Sequence, residues 1–267
     1  LVEAAAGFWY DSLALLSDAG HNLSDVISLV LALLAFRMAK VKPNSRYTYG
    51  YKKSTVLVSL LNAIILLVAV GIILAESIEK LRNPQPIAGG VIAWVAGVGI
   101  LINAFTAFLF LKDKERDLNI KGAYLHLMAD ALVSVGVVIS GVIISYTHWY
   151  IIDPIIGIAI AIVILVSTWN LLRDSLRLSL DGVPAGISAE KIRKLLLQVD
   201  GVREIHHLHI WALSTTQNAL TAHVVVASLE DGEAVKNRIK EILSEEHIPH
   251  ATLELETVAE CCTDRTD

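Results

Sequence analysis

Three ionisable residues stand inside an otherwise hydrocarbon-rich stretch, Ser12-Leu-Ala-Leu-Leu-Ser-Asp-Ala-Gly-His-Asn-Leu-Ser-Asp25, and no other feature constrains the fold of this chain as much. Asp18, His21 and Asp25 are spaced i, i+3, i+7, so a helix of about 3.6 residues per turn places them on one face. Leu13, Leu15, Leu16, Ile27, Leu29, Val30, Leu31, Leu33 and Leu34 cover the remaining faces with hydrocarbon. An Asp at the centre of a membrane helix costs at least about 2.5 to 3.5 kcal/mol, so two carboxylates there call for a cation, a proton or a partner.

A second copy of the pattern, His126-Leu-Met-Ala-Asp130, leads into the uncharged run 131–147. The i, i+4 spacing again puts an imidazole and a carboxylate on one helical face. Two such helices facing each other supply two nitrogens and two oxygens, the tetrahedral shell that suits zinc. Two carboxylates against one divalent ion also leave a neutral cluster when the imidazoles are neutral. The expectation is an intramembrane metal site of His21, Asp25, His126 and Asp130, with Asp18 as an outer carboxylate or a polar packing contact. Taken singly, each residue also fits snorkelling or helix capping; the repetition of the pair in two spans is what favours a site.

Composition agrees with a membrane chain. Of 267 residues 54% are hydrophobic, and these are concentrated before about Leu180. The net charge of −5, from 22 basic and 27 acidic residues, gives no reason to expect a nucleic-acid partner. The only cysteines, Cys261 and Cys262, are adjacent, so no disulfide framework is expected.

The apolar runs and basic loops predict six spans with both ends of the chain on the cytoplasmic side. Leu1 to Tyr10 reads as the outer end of a first span, too short to cross alone. The others are expected at about 13–39, 54–78, 87–111, 122–147 and 154–172. Arg37, Lys40, Lys42, Arg46, Lys52 and Lys53 mark one cytoplasmic loop, Lys112 to Lys121 a second, and Arg173 and Arg177 the last exit. Residues 181–187, Asp-Gly-Val-Pro-Ala-Gly-Ile, have linker composition. Beyond them the periodicities become those of a soluble domain. Helices are predicted at 188–199, with Ile192, Leu195 and Leu196 on one face, and at 232–247, with Val235, Ile239 and Ile242 inward. Strands are predicted at 205–213, 220–227 and 251–257. The expected fold class is thus a polytopic α-helical membrane domain, residues 1–180, the linker 181–187, a small cytoplasmic α+β domain of order αββαβ at 188–258, and a tail 259–267.

With both His-x-x-x-Asp motifs, six spans and this tail, the chain resembles the cation diffusion facilitator family of divalent-metal transporters. The resemblance rests on residues 12–25, Tyr47-Thr-Tyr-Gly-Tyr51, Asn62-Ala63, Glu76, 122–130, Asp153-Pro154 and Ile205-His-His-Leu-His-Ile-Trp211. It implies a homodimeric, proton-coupled exporter of zinc or a similar ion, with a cytoplasmic domain of metallochaperone-like fold that helps hold the dimer. Lys53 and Asp181 match a charge pair of that family, and His206 and His223 match positions that bind zinc in some members. Glu254 falls where those members carry a His ligand. Some members hold a further metal site in the loop after the second span; here 44–51 offers no comparable group, and none is expected. Read as an unbroken strand, His207 and His209 share one face and His206 points to the other, so the three cannot meet at one ion. The cytoplasmic histidines therefore stay open between zinc ligands and surface histidines beside a sheet.

The mechanism expected is alternating access. The ion binds from the cytoplasm, the helices rock, and the emptied site takes up protons that the next ion expels. Two imidazoles with two carboxylates favour Zn²⁺ and admit Cd²⁺ and Co²⁺. An intramembrane hydrolase would want His-Glu-x-x-His or a free carboxylate base beside an open ligand position, and neither occurs, so no enzyme is expected. A membrane metal sensor that binds without transport is the other alternative.

Overall fold

The computed structural model describes residues 29–83, 100–102, 104–109, 111, 118–147 and 149–257. His21, Asp25 and Asp18 lie outside these residues, as do Cys261 and Cys262. The helices of the first half are α1 (Leu29–Ala39), α2 (Ser54–Arg82), α3 (Ile100–Leu109), α4 (Leu118–Thr147) and α5 (Ile152–Ser179). Among the described residues, α2 is long and apolar enough to cross a membrane. At about 1.5 Å per residue its 29 residues outreach the roughly 30 Å of a hydrocarbon core.

Side-chain placement along α2 shows what the helix does. Thr55, Ser59, Asn62, Ala63, Leu66 and Val70 recur at three- and four-residue steps and are buried. Leu57, Leu61, Ile64, Val68 and Ile72 on the other side are exposed. The buried stripe packs on α5, with Val56 against Leu178 at one end and Val70 against Ile164 further along, so the two helices run antiparallel. Small side chains let the backbones approach, and the Ser59 and Ser175 hydroxyls share a buried hydrogen bond of 2.9 Å. α4 completes the group through Leu125, near Ala63, Leu66 and Leu171, and Ala129, against Val70, Ala161 and Ile164.

The second half contains α6 (Ala189–Leu197), β1 (Val202–Ala212), β2 (Asn218–Val226), α7 (Gly232–Glu245) and β3 (His250–Thr257). Ser188 caps α6, its hydroxyl accepting from the Lys191 N–H at 3.3 Å. The sheet order is β1-β2-β3, antiparallel between β1 and β2 and parallel between β2 and β3. Ile192 and Leu196 from α6 and Val235, Ile239 and Leu243 from α7 form one core with Ile205, Ile210, Leu220, Val224 and Val226. Ile242, expected inward, is only partly buried; Leu243 takes the central place. The helices thus cover the Val224 face and leave the His223 face to other partners.

The two halves meet where β1 ends. Ala212 packs with Val56 and Leu178, the Lys53 ammonium donates to the Ala212 carbonyl at 3.1 Å, and the Thr215 N–H donates to the Thr55 hydroxyl at 3.1 Å.

Candidate metal centres

In the apolar half, His126 and Asp130 fall one turn apart on α4. Asp130 is 8% exposed, next to Ala129 and the apolar cluster that joins α2, α4 and α5. Two residues of the expected four-ligand set therefore sit on one helix, with the carboxylate buried.

In the second half the structure gathers His206, His223 and Glu256, whose ligand atoms all lie within 4.8 Å of one another. Each comes from a different strand. His206 and His223 are direct partners in the β1–β2 register. The His223 Nδ1 is 2.5 Å from one Glu256 oxygen, and the His206 Nε2 is 3.3 Å from the other. Apart from that contact, neither ring nitrogen of buried His206 has a hydrogen-bond partner among the described residues. Leaving such groups without hydrogen bonds is costly unless something else satisfies them, and two imidazoles with a carboxylate form the donor set of a borderline ion such as zinc. The residues present fit a bound metal.

Glu254, the acid expected here, occupies a different position. It pairs with His223 in the β2–β3 register, but its carboxylate is 67% exposed and stands 3.5 Å from the outer nitrogen, Nε2. Glu256, two residues on, is 9% exposed and lies between the two imidazoles. Sequence alone does not assign this acid, because which of two same-face acids reaches two other strands depends on register. The i, i+2 spacing was the available signal.

The three histidines of β1 depart from simple alternation. Between the pairs His206–His223 and His209–Thr221 there are two residues on β1 and one on β2, a β-bulge. His207, within the bulge, takes a left-handed conformation, φ 48°. The extra residue puts His206 and His209 on one face. It also brings the His207 ring to 5.4 Å from His206 and 5.0 Å from His223, centroid to centroid. The expectation that His206 stands apart from His207 fails because the strand is not continuous.

Lys53 and Asp181 come together, Nζ to Oδ1 at 2.5 Å, joining the start of α2 to the linker within one chain.

Comparison with known proteins follows the same division. A family model described as cation efflux transmembrane domain matches residues 1–178, and one described as cation efflux protein, cytoplasmic domain, matches 184–258. The chain is 36% identical to the cadmium, cobalt and zinc/H(+)-K(+) antiporter of Bacillus subtilis, over 97% of this chain and 85% of the relative. It is 38% identical to the zinc transporter ZitB of Escherichia coli, over 96% and 82%. It is 35% identical to the metal cation efflux system protein CzcD of Cupriavidus metallidurans, over 96% and 82%. The solved metal-bound C-terminal domain of a CzcD transporter is 32% identical, covers 26% of this chain and 99% of that one, and gives a TM-score of 0.25.

Proposed function

Because this chain belongs to the cation efflux, or cation diffusion facilitator, family of integral-membrane metal transporters, we propose that it exports Zn²⁺ from the cytoplasm in exchange for protons, as a homodimer. The observation that carries this reading is Asp130: a buried carboxylate on a 30-residue helix of the transmembrane domain, one turn after His126. His21, Asp25, His126 and Asp130 hold the ion as a tetrahedral His₂Asp₂ set, and Asp18 orients it. When the ion leaves, the carboxylates and imidazoles take up protons, and the next ion displaces them, which couples efflux to a proton gradient. The relatives' names, which include zinc, cadmium and cobalt, agree with the selectivity of such a donor set. Residues 1–180 are the six-span transport domain, 181–187 the linker, 188–258 the cytoplasmic domain and 259–267 the tail.

A second metal belongs to the cytoplasmic domain, where His206, His223 and Glu256 would hold zinc as a structural or regulatory ion, with exposed Glu254 within reach of His223. Bound there, zinc would cross-link three strands. Its attachment to β1 matters because the far end of that strand is pinned to α2 and α5 through Ala212, Lys53 and Thr215.

The test is zinc flux into sealed proteoliposomes under an imposed pH gradient, with Asp25→Ala and Asp130→Ala beside the parent. Flux that follows the gradient in the parent and is absent from both variants is the expected result. A parent that binds zinc at equilibrium yet moves none would favour the sensor reading.

A further inference from the structure

The segment between α1 and α2 is an unusual cytoplasmic loop. From Arg37 to Lys53 it carries six cations, Arg37, Lys40, Lys42, Arg46, Lys52 and Lys53, and no carboxylate. Lys53 is engaged by Asp181 and the Ala212 carbonyl. None of the other five is ion-paired among the described residues, and Arg37, Lys40, Lys42 and Arg46 are exposed. The other cytoplasmic ends differ. Lys121 and Arg177 both face Asp174, and residues 112–117 alternate basic and acidic groups. Membrane orientation needs only an excess of Lys and Arg, so it accounts for basic loops but not for one with its charges left unneutralised.

The loop is also built. The Asn44 side-chain oxygen accepts from the Arg46 and Tyr47 N–H groups, both at 2.9 Å, and the Gly50 N–H closes the turn on the Tyr47 carbonyl at 2.8 Å. Gly50 sits at φ 69°, and a Cβ there would stand 2.9 Å from the Val41 carbonyl oxygen, so only glycine allows so tight a closure. Exposed Val41 and Tyr47 lie among the cations, Tyr47 packs on Tyr51 at 4.7 Å, and Tyr49 meets the His250 ring of β3 edge-on at 5.6 Å. Aromatic rings beside unpaired cations at the end of membrane helices match the chemistry of the headgroup layer. There the rings sit between hydrocarbon and water, and Arg and Lys bind phosphate oxygens.

We propose that the loop 37–52 binds the phosphate headgroups of anionic lipids in the cytoplasmic leaflet. Charge complementarity selects this occupant: a surface with no acid of its own, fixed at the membrane end of two helices, faces a leaflet that supplies negative charge at that depth.

The experiment uses the full chain in detergent. Equilibrium binding of short-chain phosphatidylglycerol is compared with that of phosphatidylcholine, at low and high salt, in the parent and in Lys42→Gln/Arg46→Gln, which leaves four cations to orient the loop. Each cation near an anionic surface is worth about fivefold in affinity, so the double variant should lose roughly 25-fold for phosphatidylglycerol and little for phosphatidylcholine. Zinc flux in neutral bilayers should match the parent and serves as the check on folding. Should the double variant not fold, Arg46→Gln alone should lose about fivefold. A parent without preference between the two lipids, or a preference that survives in the variants or in high salt, overturns the proposal. So does inorganic tripolyphosphate that displaces the lipid at equal charge, since the loop would then be a site for soluble anions.

Discussion

The membrane half and the cytoplasmic half each bury a carboxylate, Asp130 at 8% and Glu256 at 7% residue exposure, and they do so by different geometry. On α4 the carboxylate and its imidazole belong to one helix, and their relation is set by a local repeat that no tertiary contact can change. In the sheet the acid and its two imidazoles come from three strands, and their meeting depends on two registers and a bulge. A helix motif fails when a residue is changed. A sheet cluster can also fail when the backbone is changed.

The largest effect is expected at Asp130. Asp130→Asn keeps shape and removes charge, so zinc flux should fall by more than the roughly 10- to 100-fold that loss of a supporting group costs, with the protein still folded. Flux within a few-fold of the parent would remove Asp130 from the site. Next comes the contrast between the two acids of β3. With Asp130→Ala as background, chelator competition should show cytoplasmic zinc binding about 100-fold weaker in Glu256→Gln and less than about threefold weaker in Glu254→Gln. Equal effects of the two acids would mean that burial does not decide which one is the ligand.

A backbone change then sharpens the comparison. His207→Val places a β-branched residue at φ 48°, at a cost of about 1 to 2 kcal/mol, and should lower both the thermal midpoint and zinc affinity. His207→Gly should restore the midpoint. If neither variant alters zinc binding, the bulge does not shape the cluster. The smallest effect is expected for Lys53→Ala. Its pair with Asp181 is 36% and 66% exposed, so the stability lost should be about 1 kcal/mol or less, read as a small shift in thermal unfolding.

How far each half was legible follows from the same contrast. The apolar span that becomes α2, and the apolar faces of α6 and, save for Leu243, of α7 could be read directly, since helical spacing brings i, i+3 and i+4 together whatever the fold. Strand positions were readable for the same reason at period two. The role of Glu256 was not, and neither was the position of His207. One residue of slippage, or one inserted residue, moves a side chain to the other face of a sheet, and nothing in Ile205-His-His-Leu-His-Ile-Trp211 marks where the bulge falls. The basic loop was legible as charge, but its closure through Asn44 and Gly50, and the lack of ion pairs for its cations other than Lys53 among the described residues, needed coordinates.

Sequence by itself determined that this chain has an apolar half, with His126 and Asp130 one turn apart on a helix, and a second half of mixed helices and strands, because those properties are local and periodic. Tertiary structure decided which acid meets two histidines and which loop cations have no ion pair among the described residues. Those outcomes depend on strand register and on the approach of residues far apart in the chain, neither of which a local pattern encodes.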